Sequence, residues 1–421
     1  MKSNVETNIL CYETLKSENP ASLDTYIRTG GYESWKKIIN GKINRESIIE
    51  EVKNSGLRGR GGAGFYTGIK WSFIDQKSNK KKYLICNADE SEPGTCKDRD
   101  ILKYNPHAVI EGMLISSYAI GAETAYCYLR GEFIDDVYTA FKKALSESYD
   151  AGYIGKSILN TEININVYDF IGAGAYIVGE ETAMLESIEG KKGFPRFKPP
   201  FPAVQGLYGC PTIINNVETL ASVPKILSNG SSWFRKFGTK ESPGLKCFSV
   251  SGHVNKPGNY EVPLGIPFKE LLKIAGGVAG GKKLKAVIPG GSSVPVLTAN
   301  TIMDINMDYE SINKAGSLLG SGAVIVMDED TNMVEVLHRI SRFYFSESCG
   351  QCTPCREGTG WIYRILDNLL NGNGTYKDIE TLESIPTMIM GNTICALGDA
   401  AAFPVESFLK NFKEEFLSYI K

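Results

Sequence analysis

The chain has 421 residues, 42% apolar and 22% charged, the balance of a soluble globular protein with room for about three domains. Its 46 Lys and Arg nearly cancel 48 Asp and Glu and form no basic block, so nucleic-acid binding has no electrostatic footing. Only three scattered histidines, His107, His253 and His338, argue against a histidine-rich zinc enzyme. The ten cysteines, with no secretory signal ahead of them, point to a reducing compartment.

In chain order, residues 1–44 read as an N-terminal extension with one or two short helices. Ile48, Ile49 and Val52 predict a helix over Arg45 to Asn54, stopped by Gly56. A glycine-rich loop follows, then a buried strand over Tyr83 to Cys86. Asn105 and Pro106 are expected to cap and open a helix through Ala119. The stretch around Ala108 to Ala122 is the least polar of the chain, but it carries Glu111 and is too short to cross a bilayer. Membrane association is therefore expected only through partners. Further strands are predicted at Tyr126 to Leu129 and Ile163 to Val167, so residues 45–242 read as an α/β layer domain with a largely parallel sheet. Residues 193–211 are proline-rich and predict a stiff extended loop.

Pro243-Gly244 marks the next boundary. A hairpin over Cys247 to Val262, turning at Lys256-Pro257-Gly258, then a helix from Pro267 and a strand at Lys285 to Ile288, make residues 243–328 a β-grasp-like module. After Ala323 to Val326 the chain is expected to be helical, residues 329–421, with Asp330 or Thr331 as the first cap.

The strongest motif lies in that helical part. Cys349, Cys352 and Cys355 are each separated by two residues, and Cys395 follows at a distance. Three thiolates so spaced can wrap one corner of a cubane that the fourth closes, which favours a [4Fe–4S] cluster. The alternative is a four-thiolate zinc knot, although such knots more often pair two Cys-x-x-Cys units. Cys11, Cys86, Cys96, Cys127, Cys210 and Cys247 have no partner spacing and are expected to be buried thiols.

Gly59-Arg60-Gly61-Gly62-Ala63-Gly64 satisfies G-x-G-x-x-G, but a helix rather than a strand precedes it, so the match does not make a dinucleotide fingerprint. Its backbone could approach an anionic phosphate, with Arg58, Arg60 and Lys70 adding charge. It could also be a plain surface turn. Asp89, Glu90 and Glu92 follow Asn87 at the C-terminal end of a predicted strand, where α/β sheets place ligands; a solvated acidic face is the alternative. Gly179-Glu180-Glu181 could be a site or simply a helix start. Asn215-Asn216, ahead of Thr219, could be a site or an N-cap.

Together, Gly56 to Phe65, Asn87 to Arg99, Gly172 to Glu186, the proline loop through Glu218, and Ser348 to Gly358 resemble the flavin-carrying, NADH-oxidising subunits of bacterial respiratory complex I. The resemblance runs in the family's order over nearly all of the chain beyond about residue 30. It implies a Rossmann-like FMN-binding α/β domain, a β-grasp domain and a C-terminal helical bundle carrying a [4Fe–4S] cluster. It places FMN among the glycine loop (Gly59, Arg60, Gly61, Gly62, Ala63, Gly64), Lys70, Asn87, Asp89, Glu90, Gly179, Glu180, Asn215, Asn216 and Thr219. It sets Glu92 and Glu181 near the nicotinamide half of NADH, as the residues closest to the chemistry. Phe65, Phe73 and Phe201 would flank the adenine, with Lys198 close by; core packing is the plain alternative for these rings. The implied partners are a thioredoxin-like [2Fe–2S] subunit and a large multi-cluster subunit, on the cytoplasmic face of the cell membrane. Tyr66 departs from the relatives' proline. A diaphorase subunit of an NAD-linked hydrogenase or formate dehydrogenase shares this site and is the nearest rival; a non-catalytic cluster carrier is a remoter one.

Overall fold

The computed structural model describes residues 8–420. Four strands, Tyr83–Ala88 (β1), Thr124–Leu129 (β2), Asn166–Ile171 (β3) and Thr212–Asn216 (β4), pair in parallel in the order β3-β2-β1-β4. Both faces of this sheet are covered: Leu84 and Cys86 enter one core and Ile85 the other. β3 begins three residues later than predicted, and β4 lies just past the proline loop, where no strand was expected.

The helix Pro106–Ile120 begins with Pro106 as expected, but the Asn105 side chain makes no cap bond: its Nδ2 donates to the Cys11 carbonyl at 3.0 Å and its buried Oδ1 has no partner. This helix packs closely on Val217–Asn229. A Cβ at Gly112 would stand 2.0 Å from the Leu220 carbonyl oxygen, so only glycine allows the approach. Glu111, the one carboxylate of this apolar helix, accepts hydrogen bonds from Tyr26 Oη (2.6 Å), the Tyr32 amide (2.8 Å) and the Trp35 amide (3.2 Å). It thereby anchors the N-terminal extension, whose Leu10, Trp35 and Ile38 share the core of the parallel sheet.

The second sheet holds Leu245–Gly252 (β5), Gly258–Pro263 (β6), Leu284–Ile288 (β7), Leu297–Thr298 (β8) and Ala323–Asp328 (β9), in the order β6-β5-β9-β7-β8. β5 and β6 form the hairpin, β5 and β9 run parallel, and the helix Phe268–Ile274 packs into the same core. The chain then folds into helices Met333–Glu347, Thr353–Leu370, Tyr376–Ile389 and Leu397–Leu417. Their first cap is Asn332, which accepts from the Val334 and Glu335 amides, not Asp330 or Thr331. Asp328 takes the amide of Asp330 and the hydroxyl of Thr331, turning both into the preceding loop. Among the described residues no helix is long and apolar enough to cross a membrane.

Candidate functional site

The glycine loop joins the helix Arg45–Ser55, ended by Gly56 in the left-handed region, to the short helix Thr67–Trp71. Its two arms pair through the Gly59 amide to the Phe65 carbonyl and the Thr67 amide to the Leu57 carbonyl, both 2.8 Å. Gly64 has φ +65°, and a Cβ there would fall 2.6 Å from the Tyr309 ring, so both backbone and space demand glycine. Arg58 braces the loop by donating to the Gly64 carbonyl at 2.7 Å, pairing with Glu310 and lying 3.9 Å over the Tyr309 ring. Tyr66 has φ −64°, the value a proline would impose, so this departure leaves the loop's path unchanged.

Arg60 corrects an expectation. Its side chain is fully buried and donates to the Pro243 carbonyl, while its amide donates to Thr219 Oγ1 at 2.9 Å. Its charge faces the core, and Thr219 serves the loop's backbone. Lys70 is also committed, to the Ile214 carbonyl (2.9 Å) and to Glu181 (3.3 Å).

Gly61, Gly62 and Ala63 form one wall of a cleft of about 730 Å³. The rest of the lining brings Asn87, Asp89, Glu90, Glu92, Gly179, Glu180 and Asn216 together with Leu319, Cys395 and Phe403. Asn87 Nδ2 donates to the Gly179 carbonyl at 2.9 Å and its Oδ1 accepts the Asp89 amide. Asp89 Oδ2 accepts from Ser91, but its buried Oδ1 has no partner. Burial pushes Asp89 up to about 7. A neutral or anionic acceptor left over in a cleft suits a heteroaromatic N–H such as that of an isoalloxazine ring.

The other two acids of the loop are not free. Glu90 accepts the Asp98 and Arg99 amides at 2.8 and 3.0 Å and so caps the helix Lys97–Tyr104; burial, then Asp98, raises it to about 7. Glu92 accepts from Tyr176 Oη at 2.7 Å and the Ser293 amide at 2.8 Å. It ties the acidic loop to the second sheet's module and to the turn before Gly179. Glu180 caps the helix Glu181–Ile188 and pairs with Lys198 at 2.9 Å. Burial would raise Glu181, but Lys70 and Lys198 outweigh it and hold the carboxyl below the ordinary value. Asn216 both caps Val217–Asn229 and donates to Asp98 at 2.6 Å, whereas Asn215 accepts from Trp71 behind the cleft wall. Sequence reasoning did not single out Lys97 and Asp98, which line the cleft and form a buried pair at 2.8 Å. Two charges in a run of mixed sign look like a solvated helix face.

Outside the cleft, Phe65 and Phe73 are exposed with ring centroids 6.0 Å apart. Phe201 is 59% exposed and makes no ring contact with either among the described residues. These three rings are not core packing.

Cys349 and Cys352 lie on the loop before the helix Thr353–Leu370, Cys355 in its first turn, and Cys395 on the loop before Leu397–Leu417. All four are free thiols around one apolar cluster. Burial pushes Cys355 up to about 11 and Cys395 up to about 12, reinforced by the neighbouring cysteines. Such crowding is relieved when iron takes up the thiolates. A zinc tetrahedron would hold its sulfurs about 3.8 Å apart. Among the described residues no three of these four sulfurs lie within 4.8 Å of one another, so they are not gathered round the position of a single ion. Of the remaining six thiols, Cys96 and Cys210 are only half-buried, contrary to expectation, because they sit in the acidic loop and in the turn before β4.

Residues 52–225 match the family model for the Nuo51 FMN-binding domain, 246–326 an SLBB domain, and 335–419 the NADH-ubiquinone oxidoreductase-F iron-sulfur binding region. The F-type subunit of NADH-quinone oxidoreductase from Rickettsia bellii is 53% identical over 412 residues, 97% of this chain and 98% of the relative. That of Rickettsia typhi is 56% identical over 379 residues, 90% of each. Two crystal structures of an NAD+-reducing [NiFe]-hydrogenase are also similar. The H2-reduced state has TM-score 0.81 at 36% identity over 90% of this chain, and the air-oxidized state 0.83 at 35% over 95%. The chain spans 63% and 67% of those hydrogenase chains. With relatives of this identity along nearly its whole length, the chain belongs to the family of F-type subunits of NADH-quinone oxidoreductase.

Proposed function

We propose that this chain oxidises NADH at an FMN seated in the cleft and delivers the electrons singly to a [4Fe–4S] cluster on Cys349, Cys352, Cys355 and Cys395, for onward passage to quinone through partner subunits. The observation that carries the reading is one shared wall: Cys395 lines the same cleft as Asp89 and the glycine loop. FMN, when bound, supplies the exchange between two-electron and one-electron chemistry. The chain's residues bind and orient. Gly61, Gly62 and Ala63 would hold the phosphate end of the flavin, Asp89 Oδ1 would accept a ring N–H, and Asn87 and Asn216 fix the walls through their own hydrogen bonds. Hydride transfer needs no side-chain acid or base, so Glu92 and Glu181 act by placement and charge. Glu92 holds the acidic loop against Tyr176 and Ser293, and Glu181 is fixed between Lys70 and Lys198 next to Glu180 of the cleft lining. The exposed Phe65, Phe73 and Phe201 offer stacking faces for adenine.

The name of the relatives supports quinone as the final acceptor over a hydrogenase partner, which the longer hydrogenase chains resemble at lower identity. A thioredoxin-like [2Fe–2S] subunit and a large multi-cluster subunit are the partners this reading requires, at the cytoplasmic face of the membrane. The test is anaerobic addition of NADH to purified wild type and Cys352→Ala. Bleaching of the yellow chromophore in both, with the cluster's EPR signal absent only from the variant, is expected. A variant that keeps the signal, or wild type that NADH does not bleach, overturns the assignment.

A further inference from the structure

A second set of metal-type ligands lies far from the four cluster cysteines in sequence. Cys11 of the N-terminal extension, Cys247 of β5 and Glu261 of β6 bring two sulfurs and a carboxylate oxygen within 4.8 Å of one another. Cys247 and Glu261 are direct cross-strand partners, so β-pairing alone places them side by side on one face. All three are buried: Cys11 and Glu261 are 1% exposed and Cys247 not at all. We propose that this triad is a structural site for a borderline-soft divalent cation, Zn²⁺, that pins the N-terminal extension to the second sheet.

Glu261, a buried carboxylate, makes no ion pair among the described residues, so its charge is left for a ligand to neutralise. Its oxygens accept the Leu10 and Cys11 amides at 2.9 and 2.5 Å, the outer hydrogen bonds that orient a ligating carboxylate. Two thiolates and one carboxylate are a zinc donor set. Ser222 Oγ, 3.9 Å from Cys11 Sγ, is the candidate for a fourth donor. Binding releases the two thiol protons to solvent and changes no oxidation state.

The test is elemental analysis of the full-length holoprotein, purified without chelator or zinc supplement, for zinc beside iron. One zinc per chain is expected in wild type and less than about a tenth of that in both Cys11→Ala and Cys247→Ser, with iron and flavin content unchanged. Wild type without stoichiometric zinc whose Cys11 and Cys247 react as free thiols on denaturation overturns the proposal. So does a Cys11–Cys247 disulfide found by mass spectrometry. Zinc that persists in both variants and disappears only from Cys352→Ala belongs to the four-cysteine site and overturns it equally.

Discussion

Lys246→Met should make the protein more stable. The Lys246 ammonium is fully buried, with Nζ 3.6 Å from Glu218 Oε2 and 3.4 Å from the Arg60 carbonyl oxygen. Lys97 holds the better place on the same carboxylate, at 2.8 Å, and Arg60 adds a third buried cation. Burial lowers the Lys246 pKa from its ordinary 10.5 to about 8, with Glu218 opposing and Lys97 and Arg60 assisting. At about 1.36 kcal/mol per pH unit, the gap amounts to about 3 kcal/mol of folding stability lost at neutral pH. The folded-state value is depressed, so between about pH 8 and 10.5 the unfolded chain holds more protons and stability rises with pH. Methionine keeps the aliphatic length, leaves Glu218 its closer partner, and should recover about 1–3 kcal/mol, within the range for replacing buried ions by apolar groups. Urea unfolding followed by tryptophan fluorescence, at neutral and alkaline pH, measures both effects. A variant less stable than wild type at neutral pH, or one whose stability still climbs through the alkaline window, refutes the reasoning.

Asp89→Asn bears on the cleft itself. The folded-state pKa of about 7 lies above the unfolded value near 3.8, so this group costs stability as pH rises between those values. The FMN-free variant should lose that slope in melting experiments from acid to neutral pH. Gly112→Ala should cost at least about 1–3 kcal/mol in urea unfolding, because the added methyl would meet the Leu220 carbonyl oxygen at 2.0 Å and push two helices apart. Phe201→Ala should raise KM for NADH about tenfold, at about 1–3 kcal/mol per stacked base. The KM for reduced nicotinamide mononucleotide, which lacks adenine, should not move.

The parts of the fold legible in the sequence were those with local causes. A continuous apolar run marked β1, strand-type stretches and turn residues marked β2, β5 and β6, and Gly56 and Pro106 marked helix ends. The cysteine spacing disclosed the cluster loop because ligand spacing is a property of the chain itself. The helix Lys97–Tyr104 escaped notice because its first turn is Lys-Asp-Arg-Asp and its cap, Glu90, comes from outside the helix. The direction of Arg60 could not be read either: an arginine among glycines looks the same whether it reaches a phosphate or the Pro243 carbonyl. Glu92 shows the limit most clearly. Its partners Tyr176 and Ser293 are 84 and 201 positions away, so nothing nearby in sequence announces that its carboxylate ties two modules together.

The cleft's lining runs from Arg58 to Phe403. While a ribosome is still making the helix Leu397–Leu417, Cys395 and Phe403 are inside or barely clear of the exit tunnel. An emerging chain therefore has no finished chamber to offer a cofactor, even though its parallel sheet has long been complete. On the proposed assignment, a flavin in this cleft and a cluster closed by Cys395 enter only after that helix has emerged.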